Sequence, residues 1–329
     1  MEKRMILTTT DTSSLVRTSN NSFEEAKSLH SNLIWQQLEH IKVFEAIDVW
    51  LSTLSPKTRI NYQSGLRLLA ELGLISSHIN LQAFALVNHE AIIDRIKLVP
   101  KWSECSCQSR AACYISFTRF LNRRSQGIIS RAIPNRDGNA KTFFKVYDKV
   151  KTLAMTQSQW ILFLEALDKI SPRECLMAKL ILQGGKRVNE VLSLKTQDID
   201  WDRKKIVFDQ SKTRGVKKTT VITYPQSVME KLKDYLGDRT GIVFITRTGK
   251  PVKLNQLTQT FAKAGNHAAI PFKVTPHVLR TSTVTYFKQQ GFQDSDIMKV
   301  TGHASAAMVN AYDKTSQEAN ATEKVQLVF

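Results

Sequence analysis

Six side chains in the second half of the chain have the types and order needed for chemistry on a phosphate: Arg187, Lys212, His277, Arg280, His303 and Tyr312. The densest stretch runs from Thr275 to Tyr312. Thr275 suits a helix N-cap, and Pro276 suits the first helical position, where its missing N–H would have no partner anyway. His277 and Arg280 are then three apart and share a helix face, while Val278 and Leu279 turn towards a core. A cation and an imidazole are presented together at a helix N-terminus, which already favours an anion. Thr301-Gly302 reads as a helix stop with glycine in the left-handed C′ position. Ser305 then caps a short helix, Ala306 to Asp313, that carries Tyr312. A tyrosine oxygen can attack phosphorus and hold it covalently. A free phenol ionises near ~10, so such a nucleophile needs a base or a strong positive field beside it.

Arg187 and Lys212 must be brought to that stretch by other elements. Arg187 opens a helix after Gly184-Gly185, with Val188, Val191 and Leu192 stepping correctly for burial. Lys212 sits at the mouth of a basic hairpin loop, Ser211 to Lys218, between β-rich runs at Lys205–Phe208 and Thr219–Tyr224. A third strand is expected at Gly241–Ile245. Around these lie helical patterns: one capped by Thr156, one from Cys175 to Gln183, and more from about Asn255.

The first part of the chain is different. From Leu33 to Leu54, Ile41, Phe44, Ile47 and Leu51 step at three and four. Ser55-Pro56 caps a further helix with Ile60, Leu66, Leu69 and Leu72 as core candidates, and Gly73 stops it. Its polar face carries Lys57, Arg59 and Arg67. Helices follow near Asn88–Lys97 and Gln108–Arg124, the second with Ala111, Ile115, Phe117, Phe120 and Leu121 for burial and Arg119, Arg123 and Arg124 as further candidates for DNA contact. No strand is expected before residue 130. The fold class is therefore α+β: an all-α N-terminal domain and a mainly helical second domain with a small antiparallel sheet. The expected organisation is a polar arm at 1–30, a helical DNA-binding domain at 31–134, a linker at 135–154 and a catalytic domain with its tail at 155–329.

Composition narrows the partner. A net charge of +18 on 329 residues points to a polyanion, nucleic acid first. Between Arg95 and Lys151, lysines and arginines far outnumber Glu104, Asp137 and Asp148, which suits a phosphate-tracking surface. No apolar run approaches the ~18 residues that span a bilayer, and no secretory leader is legible, so no membrane partner is expected. Cys105, Cys107, Cys113 and Cys175 lack zinc-site or disulfide-framework spacing and read as free thiols in a reducing cytoplasm. No metal or cofactor motif is visible.

Taken in order, Gly184-Gly-Lys-Arg-Val-Asn-Glu-Val-Leu192, Gln210-Ser-Lys-Thr213, Thr275-Pro-His-Val-Leu-Arg280 and Thr301-Gly-His303 to Tyr312 resemble the tyrosine recombinase (phage-type integrase) family, plasmid-borne integrases included. Ser55-Pro-Lys-Thr-Arg-Ile-Asn-Tyr62 resembles that family's core-binding helix. The resemblance implies site-specific cutting and rejoining of double-stranded DNA through a 3′-phosphotyrosine, without metal or ATP. It implies Tyr312 as nucleophile, Arg187 and Arg280 as phosphate forks, His277 as general base or proton shuttle, and His303 as a phosphate hydrogen bond. Lys212 is the expected general acid for the departing 5′ oxygen, ahead of Lys217 and Lys218, and Glu190 is expected to support the site from behind. It implies a homotetramer on DNA, or a heterotetramer with a related recombinase, linked by tails such as Val325–Phe329. A type IB topoisomerase and a silent DNA-binding regulator are the alternative functions. The chain departs from the family pattern at Lys186, Thr281 and Thr301.

Overall fold

Side-chain caps mark where several helices begin. The computed structural model describes residues 20–143, 152–210 and 218–315. The chain divides into two compact units, 1–147 and 148–329.

The first unit is helical: α1 (Asn20–Glu39), α2 (Val43–Ser52), α3 (Pro56–Glu71), α4 (Leu81–Ala85), α5 (His89–Lys97) and α6 (Glu104–Arg124). Asn80, Asn88 and Ser103 each accept a backbone N–H from the first turn that follows, of Ala83, Ala91 and Ser106. The core is aromatic at its centre: Trp50 stacks on Tyr62 at 5.5 Å and tilts against Phe117 at 5.3 Å. Cys107 and Cys113 are on the buried side of α6, and burial pushes the Cys113 thiol up to about 12.

Three details differ from the sequence reading. α1 begins at Asn20, inside the stretch expected to be an arm. Its only deeply buried apolar positions in the described part are Ile34 and Leu38, too sparse a pattern to read as a stripe. The chain then breaks at His40–Lys42, and the buried stripe of α2 is Val43, Ala46, Trp50 and Leu51. Phe44 faces out, and so do Ile60 and Leu72 of α3. A helical stripe spans more than one candidate register, and packing chose the one that buries Trp50. The short helix α4 was not anticipated.

The second unit holds α7 (Gln157–Ile170), α8 (Pro172–Gly184), α9 (Val188–Leu192), β1 (Ile199–Asp200), β2 (Lys205–Asp209), β3 (Thr219–Thr223), α10 (Gln226–Leu236), α11 (Leu254–His267), α12 (Pro276–Gln289), α13 (Asp294–Thr301) and α14 (Ala306–Tyr312). Thr156 caps α7 by accepting the Gln159 N–H, and Thr275 caps α12 by accepting the Val278 N–H. The sheet is antiparallel in the order β1-β2-β3, with Ile206 opposite Ile222 and Phe208 opposite Thr220. These four face the core and alternate with exposed neighbours, as a one-sided sheet requires. The third strand is β1, not Gly241–Ile245. That run makes isolated bridges only, Ile242 with Lys195 and Ile245 with Pro251. Val243 and Phe244 are nevertheless fully buried, so its β-rich composition reports burial.

α12 lies at the centre of this unit, and residues 278–285 are all buried. Its four buried hydroxyls have partners: Thr281 donates to His277 O, Ser282 to Val278 O, Thr283 to Leu182 O and Thr285 to Tyr312 O. A helix buried on every side is tolerable with polar residues only if each is bonded in this way. Among the described residues no helix is long and apolar enough to cross a membrane.

Candidate active site

Four of the six predicted groups converge at the N-terminal end of α12 and the α13–α14 corner. Arg280 is the most enclosed, being the largest of the fully buried side chains. Its Nη1 donates to Gly185 O at 2.5 Å and to Thr301 O at 3.0 Å, and its Nη2 donates to His303 Nε2 at 2.7 Å. Its Nε–H has no partner among the described residues. Burial, and then the Arg187 charge, hold its pKa at about 10, against the pull of Tyr312 and Glu190.

The tautomer of His303 follows from its partners. A guanidinium only donates, so Nε2 is the bare nitrogen. Nδ1 lies 2.8 Å from Thr301 Oγ1, whose own proton goes to Ile297 O at 2.7 Å. Nδ1 therefore carries the hydrogen and donates it to Thr301. Burial, followed by Arg280, Arg187 and Lys186, pushes the His303 pKa down to about 3, so the ring is neutral. In this geometry Nε2 accepts from Arg280 and offers no hydrogen to an oxygen.

Tyr312 is half-buried among these groups. Its ring centroid lies 4.7 Å from that of His303 and 5.1 Å, edge-on, from that of His277. The Arg280 guanidinium carbon stands 5.6 Å from the same centroid. His277 keeps an exposed edge, and burial of the remainder, then Arg280, holds its pKa below the usual imidazole range. The segment that carries the tyrosine is held by its own chain. Val309 packs with Val284 and Ile297, and Thr285 Oγ1 donates to Tyr312 O and accepts from Lys314 N–H, each at 3.1 Å. Two other tyrosines of the unit are placed differently: Tyr224 is buried and donates to Leu180 O, and Tyr286 packs edge-on against Trp160.

Arg187 comes to the site at the N-cap of α9, and its side chain is 31% exposed. Glu190 is fully buried behind it, accepting Arg187 Nη1–H at 3.0 Å and Arg187 backbone N–H at 3.2 Å. Both glycines before Arg187 are needed. Gly185 is left-handed at φ 53°, and a Cβ there would come within 2.8 Å of Thr301 Cγ2. Gly302 is left-handed at φ 69°, and a Cβ there would overlap the Gln210 side-chain amide. Gln210 N–H donates to Lys218 O and closes the root of the hairpin. Lys212 lies on that hairpin, outside the described residues, as do Lys217 and the tail Val325–Phe329. The sequence reading marked Lys186 and Thr301 only as departures. Of their partners, Glu190 and His303 are local, but Thr220, Val300 and Arg280 are remote in sequence.

The DNA-contact candidates of the first unit fall into two groups. Lys57, Arg119, Arg123 and Arg124 are exposed, and Arg124 covers the Phe120 ring at 5.6 Å. Arg59, although exposed, turns its guanidinium back onto the end of α2, donating to Leu51 O at 3.0 Å and Ser52 O at 3.3 Å. Arg67 pairs with Glu71 at 3.3 Å.

A neutral histidine, a buried arginine with an unpartnered donor and a second arginine backed by a carboxylate, all about one tyrosine, form a site suited to tyrosine-linked phosphoryl transfer. Residues 154–319 match the model of the phage integrase family. The chain is 47% identical over 311 residues to the virulence plasmid integrase pGP8-D of Chlamydia muridarum, covering 93% of this chain and 94% of that protein. It is 40% identical over 273 residues to the virulence plasmid integrase pGP7-D of the same species, covering 82% and 90%. A solved structure of a lambda integrase dimer bound to a COC′ core site shares the fold, with a TM-score of 0.60 at 18% identity over 83% of this chain and 77% of that one. The chain belongs to the phage integrase family, the tyrosine-type site-specific recombinases.

Proposed function

We propose that this protein cuts and rejoins double-stranded DNA at a specific site, with Tyr312 as the nucleophile. The phenol oxygen forms a bond to phosphorus as the bond to the 5′ oxygen breaks, giving a 3′-phosphotyrosine and a free 5′ hydroxyl. Rejoining is the reverse. Arg187 and Arg280 hold the phosphate oxygens while negative charge grows on them, which is where fixed donors contribute most. His277, edge-on to the tyrosine, takes the phenol proton. Lys212 gives a proton to the departing oxygen. His303 holds Arg280 in place, and Glu190 holds Arg187. The observation that carries the reading is the unpartnered Arg280 Nε–H, buried on a guanidinium beside the Tyr312 ring. A buried donor without an acceptor is unfavourable, and a bound phosphate oxygen would relieve it.

The same reading gives the partners: a duplex bearing the recombination site, held by the exposed arginines of α6 as well as by the catalytic unit, with four protomers on DNA, all of this chain or shared with a related recombinase. The compartment is the cytoplasm. The test is trapping on suicide substrates tiled across candidate replicon DNA. A covalent adduct is expected with the native chain and none with Tyr312→Phe, which still binds. An adduct that survives this change and maps to Tyr286 would overturn the assignment.

A further inference from the structure

Lys186 stands between the two glycines and Arg187, and no step above uses it. Its side chain is fully buried. An ammonium has three N–H donors and no acceptor, so a buried one needs partners on every side. Three partners are present: the Thr220 hydroxyl on β3, Val300 O in the last turn of α13 at 3.1 Å, and Glu190 Oε2 on α9 at 3.4 Å. The face of Phe208 on β2 lies 5.2 Å away. The lysine stem reaches this point only because residue 184 has no side chain; a Cβ on Gly184 would meet Lys186 Cδ at 2.8 Å. Burial, opposed by Glu190, holds the pKa at about 8.

Glu190 is the shared partner. One oxygen takes the Arg187 guanidinium, and the other takes the Arg187 backbone N–H and the Lys186 ammonium. A carboxylate that the Lys186 ammonium also holds is itself fixed in place, and it fixes where the Arg187 guanidinium can lie. The other two contacts reach further. Thr220 lies on the strand that follows the hairpin of Lys212, and Val300 directly precedes the Thr301–His303 turn that holds Arg280.

We propose that Lys186 is a positioning residue for strand cleavage: by sharing its ammonium among Glu190, Thr220 and Val300, it fixes Arg187, the root of the hairpin and the His303 turn in one register. The proposal rests on the recombinase reading and adds a residue to it.

The test uses the full chain and a suicide DNA substrate, with affinity and single-turnover cleavage at saturating DNA measured separately. Lys186→Met keeps the stem and removes the charge. Affinity is expected to stay within about twofold and the cleavage rate to fall about 10- to 100-fold, the usual scale for losing a partner that supports a site from outside. A pH series separates positioning from bulk stability. In the native chain the ammonium is lost as pH rises through about 8, so its contribution to cleavage falls there. Fold stability moves the opposite way over that interval, because the unfolded chain still binds the proton that the folded chain has released. Lys186→Met should show neither change. Glu190, Arg187, Arg280 and His303, the charged and titratable groups around the ammonium, are present in both proteins, so the difference belongs to Lys186. Thr220→Val, which removes one contact and no charge, is the milder variant and should lower the rate several-fold at native affinity. Lys186→Met or Thr220→Val cleaving at the native rate, or losing rate only in proportion to the unfolded fraction seen by circular dichroism, would overturn the proposal. Absence of an adduct with the native chain would instead overturn the recombinase reading itself.

Discussion

The two units use their positive charge in opposite ways. On α6 of the first unit, Arg119 and Arg123 stand in solvent four residues apart on one face. In the second unit Lys186 and Arg280 are in the core, each with several polar partners. An exposed arginine keeps its hydration and acts on a polyanion through a screened field, each one adding a similar increment. A buried arginine has already lost its water and acts on one oxygen at short range, where the effective dielectric is low. The first arrangement gives affinity without demanding geometry. The second gives geometry, and it is unfavourable unless every neighbour is in place.

The largest effect that tests this contrast is expected at Arg280. Arg280→Ala removes the charge and strands three acceptors: Gly185 O, Thr301 O and His303 Nε2. Single-turnover cleavage should fall by about 100- to 1,000-fold, and a urea melt should show destabilisation of about 1–3 kcal/mol for each acceptor left buried and unmet. Cleavage within tenfold of native would erase the distinction between the buried and the exposed cations. A smaller effect is expected on α6. The pair Arg119→Ala and Arg123→Ala should weaken binding and reduce the salt slope by about one for each arginine, with the lost cleavage recovered at saturating DNA. A salt slope equal to the native one would remove these residues from the interface.

The last test is a pH dependence of stability. His303 in the folded chain takes a proton only near pH 3, against an ordinary value of 6.5. Between those values the unfolded chain binds a proton that the folded chain refuses, so stability rises with pH over that range and is lost as pH falls below about 6.5. Denaturant midpoints measured from about pH 7 down to about pH 4 should fall less steeply for His303→Gln than for the native chain. Equal slopes would mean that the buried imidazole does not titrate as its surroundings require.

What could be read from the amino-acid order alone was whatever a few neighbouring residues decide. Thr275-Pro276 starts α12, Thr156 starts α7 and Gly302 ends α13 through contacts within four residues, so each was legible. Helix spacing pairs His277 with Arg280, and the Gly302 turn leads from α13 through His303 to the helix of Tyr312, but that the two pairs meet, as Arg280 and His303 do across 23 positions, was decided by tertiary packing. The third strand was not legible, because β-rich composition cannot say whether a run pairs in the sheet or is merely buried, as Val243 and Phe244 are. The stripe of α2 and the inward turn of Arg59 depended on which neighbour the first unit packed against them. Above all, tertiary structure decided which cations lost their water. Arg280 meets Gly185 across 95 positions and Lys186 meets Val300 across 114. Burial is set by what surrounds a side chain in space, and those surroundings come from segments that lie far apart along the chain.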